Sequence, residues 1–442
     1  MSLLSTDQQL TKNSYYAATA QRDRSFSSLQ SNLDCDVAVV GGGLAGLSAA
    51  IELADRGYSV VLLEAHQVGW GASGRNGGQV IAGLACDQAV IEAQLGLEAS
   101  RQTWNMTLEA IALIGQRRER FGIGCDWQAG YLSLAVNPRK SDELRAWHEH
   151  MQRAYGYQTH WIAPGDMPQW IASERFHSGI HDPAGGHLHP LKYSLGLARA
   201  AAGLGVQIFE DSAVLSLEPG ASARLRTATG SVRASHVLLA GNVYLHGLAP
   251  VLEKRIMPVG TYIVASVALD PALAASLIPS RSAVCDTNFV LDYFRPTADH
   301  RMLYGGRVSY STATPVNLAA SMQRRMAHTF PQLQDTKVEF AWGGFVDISM
   351  NRAPDFGRLS DVGAGLGKRG DHSNVYYLQG FSGHGLALTG LAGKLVAEAI
   401  AGNAERFDTF ARIRHRPFPG GRLLRTPALM AGMAYYRLRD ML

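Results

Sequence analysis

Three glycine-rich clusters carry the residues of this chain whose types and spacing could do chemistry. In Gly41-Gly42-Gly43-Leu44-Ala45-Gly46 the glycines stand in GxGxxG spacing. Gly41 permits a tight turn, Gly43 lets backbone approach a pyrophosphate, and Gly46 lets a helix pack closely on a strand. A helix starting there would add free N–H groups and partial positive charge. Glu64 stands where a carboxylate accepts hydrogen bonds from a ribose. The second cluster is Trp70-Gly71-Ala72-Ser73-Gly74-Arg75-Asn76-Gly77-Gly78-Gln79. It can turn backbone amides, the Ser73 hydroxyl and the Arg75 guanidinium toward phosphate oxygens, and lay bare backbone against a flat ring. The third, Gly380-Phe381-Ser382-Gly383-His384-Gly385, precedes a long apolar run and offers a second helix N-terminus. For each cluster the plain alternative is a turn that binds nothing.

The elements that must position these clusters follow from periodicity. Cys35–Val40 is a short apolar run rich in β-branched residues, as expected of a buried parallel strand. Leu44, Leu47, Ile51 and Ala54 recur at helical spacing, Gly57 closes that segment, and Tyr58–Leu63 is a second strand-like run. Together they predict a βαβ unit. Asn374–Leu378 predicts a strand and Leu386–Ile400 a helix, while Gly205–Glu210 with Val214, and His236–Asn242, predict strands returning to the same sheet. The βαβ unit alone does not separate NAD from FAD. The late cluster favours a flavin, because two-electron reduction leaves negative charge on the ring that a helix N-terminus stabilises.

Composition limits the rest. The chain has 442 residues, 46% of them hydrophobic and 18% charged, which excludes bulk disorder. With 41 basic against 37 acidic residues and no basic stripe until the C-terminal stretch, nucleic acid is not expected as a partner. Cys35, Cys86, Cys125 and Cys285 stand far apart without metal-ligand spacing, so no metal site is expected and a reducing compartment is. No apolar stretch approaches the length of a membrane span, and the expected location is cytoplasmic. The arginine-rich stretch 422–440 would either pack on the body of the protein or rest on an anionic membrane surface.

GGGLAGLSAA, GWGASGRNGGQ, VLLAGN and GFSGHGLALTG occur in this order, joined by GHLHPLKYSLGLARAA (186–201), RMLYGGR (301–307), NRAPDFGR (351–358) and PFPGGRLLRTPAL (417–429). This series resembles the FAD-dependent D-amino acid oxidase superfamily, in the branch with glycine and sarcosine oxidases and nearest to the gamma-glutamylputrescine oxidases. The resemblance implies an α/β and α+β chain, with a discontinuous Rossmann-like (GR2-type) FAD-binding domain interleaved with an antiparallel-sheet substrate domain. The expected partition is 31–90, 156–248 and 345–442 for FAD, 91–155 and 249–344 for substrate, and 1–30 as an N-terminal extension. Runs of strand character at 131–136, 261–269, 290–296, 302–306 and 338–343, and helical stretches at 88–120 and 142–155, are compatible with it.

By the same resemblance Gly41, Gly43, Leu44, Ala45, Gly46, Glu64 and Ala65 hold the ADP half, with Val214, Ala240 and Gly241 beside it. Gly71, Ala72, Ser73, Arg75, Asn76 and Gly77 contact pyrophosphate and flavin, and Ser382, Gly383, His384 and Gly385 the pyrimidine end of the ring. The FAD is expected to be non-covalent: some relatives attach it through a cysteine near NRAPDFGR or a histidine soon after GASG, and this chain has no cysteine after Cys285 and no histidine between His66 and His148. The implied reaction is oxidation of the C–N bond of a small amine, with a gamma-glutamylated polyamine as the expected substrate. The imine hydrolyses, and oxygen or another acceptor, such as a quinone, takes up the electrons. A D-amino acid- or glycine-type dehydrogenase passing electrons to a quinone and a flavoprotein without catalysis are the alternatives. Tyr293, Arg352 and His384 are the catalytic-site candidates, the first two equally compatible with packing or structural roles. Arg307, Trp342, His187 and His189 are weaker ones. Some relatives use a lysine to speed the oxygen reaction; none lies between Tyr293 and Tyr310, so the acceptor stays open, as does the oligomeric state.

Overall fold

The computed structural model describes residues 13–245, 247–309, 317–362 and 373–419, without the side chains of 307–309. The arginine-rich stretch 422–440 and the side chain of Arg307 lie outside the described residues. Two sheets organise the chain. In the first, strands run in the order Asp355–Arg358, Val375–Gln379, Ser231–Leu239, Asn32–Val40, Val60–Leu63 and Gln207–Phe209. All neighbours are parallel except the first pair. The two central parallel strands are polar and partly exposed in their first halves and apolar and buried in their last residues, where helices, among them Leu44–Asp55, Pro190–Gly203 and Gly385–Ile400, cover one face with a continuous core between sheet and helices.

The second sheet has nine strands, ordered Val338–Ser349, Ile256–Ser266, Met302–Ser309, Tyr293–Pro296, Ala283–Asp286, Gln128–Ala135, Ser178–His187 and Gln79–Val80, with His160–Ile162 beside Ser178–His187. Only Ala283–Asp286 and Gln128–Ala135 pair in parallel; the other pairings are antiparallel. The nucleotide-type sheet interleaved with a mainly antiparallel one is the architecture expected from the sequence.

The details differ where tertiary contacts outweigh local pattern. The stretch 88–120, expected as one helix, is two, Gln88–Leu95 and Leu97–Arg120, because Gly96 at φ +82° takes a conformation that ends the first. The helix expected at 142–155 starts at Pro138, where the Asn137 side chain accepts the Lys140 N–H and proline sits in the first turn. Residues 160–187, expected with the nucleotide unit, supply two strands to the second sheet, and Gln79–Val80 supplies a third.

From residue 13 onward, the stretch expected as an extension is a strap across both sheets. Tyr16 is fully buried and its hydroxyl accepts from Arg295, while the Leu29 N–H donates to Ser212 Oγ. No helix among the described residues is long and apolar enough to cross a membrane.

Candidate functional site

The site begins at one edge of the first sheet. Because Asn32–Val40, Ser231–Leu239 and Val375–Gln379 are parallel neighbours, the turns that follow them leave from the same edge. The Gly41–Gly46 turn and the Gly380–His384 turn are therefore two strand spacings apart, about 10 Å, with Ala240 and Gly241 between them. The chain leaves Asn32–Val40 toward Val60–Leu63 on one side while Ser231–Leu239 lies on the other, and the crevice outside such a switch point is where open α/β sheets take ligands. The helices that follow the two turns pack side by side: a Cβ on Gly393 would lie 2.5 Å from Ala49 N, and Ser48 Oγ donates to the Gly390 carbonyl.

At the first turn, Gly41 has φ +114° and a Cβ there would lie 2.6 Å from the Ala240 carbonyl oxygen. A Cβ on Gly46 would lie 2.0 Å from the Gly41 carbonyl oxygen. Gly43 caps the helix without a side-chain hydrogen bond; the Ser73 hydroxyl accepts the Leu44 N–H at 2.9 Å. Among the described residues the N–H groups of Gly43, Ala45 and Gly46 find no acceptor. Unpaired donors in a cradle that a Cβ would fill fit a diphosphate. Glu64 accepts from the Gly42 N–H at 2.7 Å and the His66 N–H at 2.9 Å, and burial pushes its carboxyl above the ordinary range. Ala65 and Val214 are half-buried alongside.

The loop after Trp70 is tied down by its own side chains. The Asn76 carboxamide donates to the Ala72 and Ser73 carbonyls and accepts from the Gly78 N–H. Arg75 is buried, lies over the Trp70 ring at 4.6 Å, and donates to the carbonyls of Gly71 and Gly343. Its guanidinium thus clamps the loop to the second sheet. Gly77 keeps space for Tyr293, whose ring would lie 2.7 Å from a Cβ there, and its carbonyl accepts from Arg295 at 2.7 Å.

The late turn is organised by a residue that the motifs did not reveal. Asp347, buried on Val338–Ser349, accepts from the Gly380 N–H at 2.5 Å and the Phe381 N–H at 3.3 Å, and its backbone carbonyl accepts the Ser382 N–H. Burial raises its carboxyl to about 6 against these hydrogen bonds. An isolated acid on a strand gives no sequence signal; only the pairing of that strand brings it beside the turn. Ser382, at φ +53°, turns its hydroxyl inward to the Gly380 carbonyl and the Ser349 N–H. Gly383 is exposed, and His384 with Gly385 begins a helix whose first turn has no side-chain cap. Burial, with the Arg352 charge nearby acting in the same direction, lowers the His384 imidazole to about 4, so it is neutral at pH 7. Arg352 stands at φ +60° with its guanidinium over the Phe289 ring.

Tyr293 is the third candidate. Its ring fills the space left by Gly77 and Gly305, and among the described residues its hydroxyl makes no hydrogen bond. The weaker candidates hold the framework together. His187 bonds to the Arg281 carbonyl and Arg295, His189 accepts the Lys192 N–H at the start of its helix, and burial lowers both imidazoles to about 3. Trp342 Nε1 donates to the Arg75 carbonyl. A cavity of about 350 Å³ lies against His384, bordered by the loop 81–88 and the second sheet. The four cysteines are unpaired, and no cluster able to hold a metal ion occurs among the described residues.

Residues 36–399 match the family model described as FAD dependent oxidoreductase. The chain is 42% identical over 431 residues to Gamma-glutamylputrescine oxidoreductase of Escherichia coli (strain K12), covering 97% of this chain and 98% of that protein. It is 38% identical to Probable oxidoreductase OrdL of Haemophilus influenzae, covering 97% of both. Among solved structures, glycine oxidase from Bacillus cereus ATCC 14579 superposes with a TM-score of 0.70 at 21% identity, covering 86% of this chain and 99% of that one, a likeness of fold.

Proposed function

The chain belongs to the FAD dependent oxidoreductase family, and on that premise we propose that it oxidises the terminal C–N bond of gamma-glutamylputrescine or a closely related amine. The imine product hydrolyses in water to an aldehyde and ammonia. Non-covalently bound FAD would supply two-electron acceptance, with oxygen as the final acceptor and hydrogen peroxide as its product. The observation that carries this reading is the emergence from one sheet edge of two helix N-termini whose own N-cap residues give no side-chain hydrogen bond, with a cavity against the second of them.

Each residue's task follows from its position. The N–H groups of Gly43, Ala45 and Gly46 hold the diphosphate, and Glu64 the adenosine ribose. The first turn of Gly385–Ile400 would face the flavin ring, and its partial positive charge would stabilise negative charge there. Neutral His384 offers a hydrogen bond there without adding a proton to the substrate amine, whose lone pair must be free. Tyr293 borders the substrate on the second sheet, and Arg352 sets positive charge beside His384. The relative's name supports the gamma-glutamylated amine as substrate.

The test is anaerobic mixing of the yellow holoenzyme with gamma-glutamylputrescine, putrescine, glycine, sarcosine and D-alanine. The expected result is bleaching of the visible flavin band fastest with gamma-glutamylputrescine, and peroxide matching amine consumed once air is admitted. A band unchanged by every compound would contradict the proposal; bleaching without peroxide would replace oxygen with another acceptor. Acid precipitation should release all the yellow colour into the supernatant, and colour kept in the pellet would contradict non-covalent binding.

A further inference from the structure

The cavity against His384 is built for more than the reacting amine. Its volume of about 350 Å³ lies in the range of about 300–1,000 Å³ usual for small-molecule sites. Trp104, Tyr131, Trp147 and Tyr157 line it together with Asp182 and His384. The Trp104 and Tyr157 rings meet edge-on with centroids 4.9 Å apart, and Trp147 meets Trp104 at 6.3 Å. Glycines keep these walls close: a Cβ on Gly83 would lie 2.9 Å from the Trp104 ring, and one on Gly185 2.9 Å from Tyr131 Cβ.

Asp182 is the feature that the fold alone does not explain. It is 6% exposed, accepts from the Tyr157 hydroxyl and the Ala184 N–H, and among the described residues has no arginine or lysine within ion-pairing distance. Elsewhere in this sheet Arg175 pairs with both Asp286 and Asp292, and Asp347, likewise without a countercharge among the described residues, has its carboxylate engaged by two backbone N–H groups of the late turn. A buried charge without a countercharge is costly, and a carboxylate among aromatic rings is the arrangement that recognises an organic cation.

We propose that this cavity receives a distal ammonium of the substrate, with Asp182 as its countercharge and Trp147 and Tyr157 as its aromatic walls. The preferred substrates are then linear amines that carry a second cationic group several bonds from the oxidised C–N bond. This assignment rests on the reading of the crevice beside His384 as the place where the amine is oxidised, and it adds the determinant that separates long dicationic substrates from simple amines.

The test compares gamma-glutamylputrescine with glutarylputrescine, which keeps the chain and carboxylate and lacks only the distal ammonium. With wild-type holoenzyme kcat/KM should favour the first by about tenfold or more, the size of one well-formed ionic contact. Asp182→Asn, which keeps an acceptor for Tyr157, and Trp147→Leu should each bring that ratio toward one through KM. A binding arm uses gamma-glutamylbutylamide, which has the distal ammonium and no oxidisable terminal amine: calorimetry should show binding to wild type and binding at least about tenfold weaker to Asp182→Asn.

Equal use of the two substrates by wild type, or a preference that both variants retain, overturns the proposal. Should Asp182→Asn fail to fold, Trp147→Leu and the wild-type pair decide it. If no amine bleaches the flavin while gamma-glutamylbutylamide still binds in an Asp182-dependent way, the cation site stands and the proposed oxidation falls.

Discussion

At the edge of the first sheet the groups left without a partner among the described residues are backbone N–H groups, and side chains mostly keep out of their way: a Cβ on Gly46 would lie 2.0 Å from a carbonyl oxygen. In the second sheet the order is reversed. There side chains, most of them at least half-buried, hold distant segments together: Arg175 with Asp286 at 2.6 Å and Asp292 at 2.8 Å, Arg325 with Asp292, and Arg295 with Gly77, Tyr16 and His187. A backbone site tolerates little change in shape and much change in charge, whereas a side-chain lattice tolerates the opposite. Substitutions in the two regions should therefore fail in different ways.

The largest expected effect is at the backbone edge. Gly46→Val should abolish FAD uptake, because its Cβ cannot coexist with the Gly41 carbonyl in the turn; the ratio of flavin to protein absorbance after purification measures this. Normal yellow protein from that variant would break the comparison. Next comes the side-chain lattice. Arg175→Met leaves Asp286 and Asp292 short of a countercharge and should cost about 3–5 kcal/mol of stability, read as a lower denaturation midpoint with FAD stoichiometry unchanged in the folded fraction. Loss of FAD without loss of stability would show that the regions are not separable in this way.

Asp347 joins the two regions, and its effect should be intermediate. Asp347→Ala strips the acceptor from two buried N–H groups at the late turn, at about 1–3 kcal/mol each, and Asp347→Asn should recover part of that. The pH dependence has a defined sign. The folded-state value, raised to about 6 from 3.8, means that the folded protein binds this proton more tightly than the unfolded chain. Its contribution to stability is full below about 4 and is lost as pH rises through about 6. Wild type should therefore lose stability relative to Asp347→Asn over that interval in paired melts, and parallel curves would contradict the assignment. The smallest effect belongs to Tyr293→Phe: its hydroxyl has no partner among the described residues, so stability should move by less than about 0.5 kcal/mol. KM for the amine should rise if the hydroxyl meets substrate, and an unchanged KM would reduce Tyr293 to a packing residue.

The same contrast explains how much could be read from the sequence. The βαβ unit, its glycines and Glu64 lie within one short stretch, and their spacing encodes their geometry because the shape of the turn is set by the backbone. The late turn was legible for the same reason. Asp347, Arg295 and the Arg175 pairs were not, since a lone charged residue has no periodicity; the role of Asp347 appears only when Ile256–Ser266 pairs with Val338–Ser349 and sets the register. Gly96 splits an otherwise continuous helical pattern through one positive φ, and the strap through Tyr16 carried no motif although it is fully buried. Arg75 was expected at phosphate from its place in the second cluster; the structure engages it with Gly71, Gly343 and Trp70.

The claim on which the rest depends is that turns far apart in the chain grip one FAD molecule from a single sheet edge. Amide hydrogen exchange of the protein with FAD bound and with FAD removed tests it at both turns together. Protection should rise on FAD binding at residues 43–46 and at residues 383–388 in the same titration, with little change in the strap around Tyr16. Protection confined to residues 43–46, with the late turn indifferent to FAD, would contradict it.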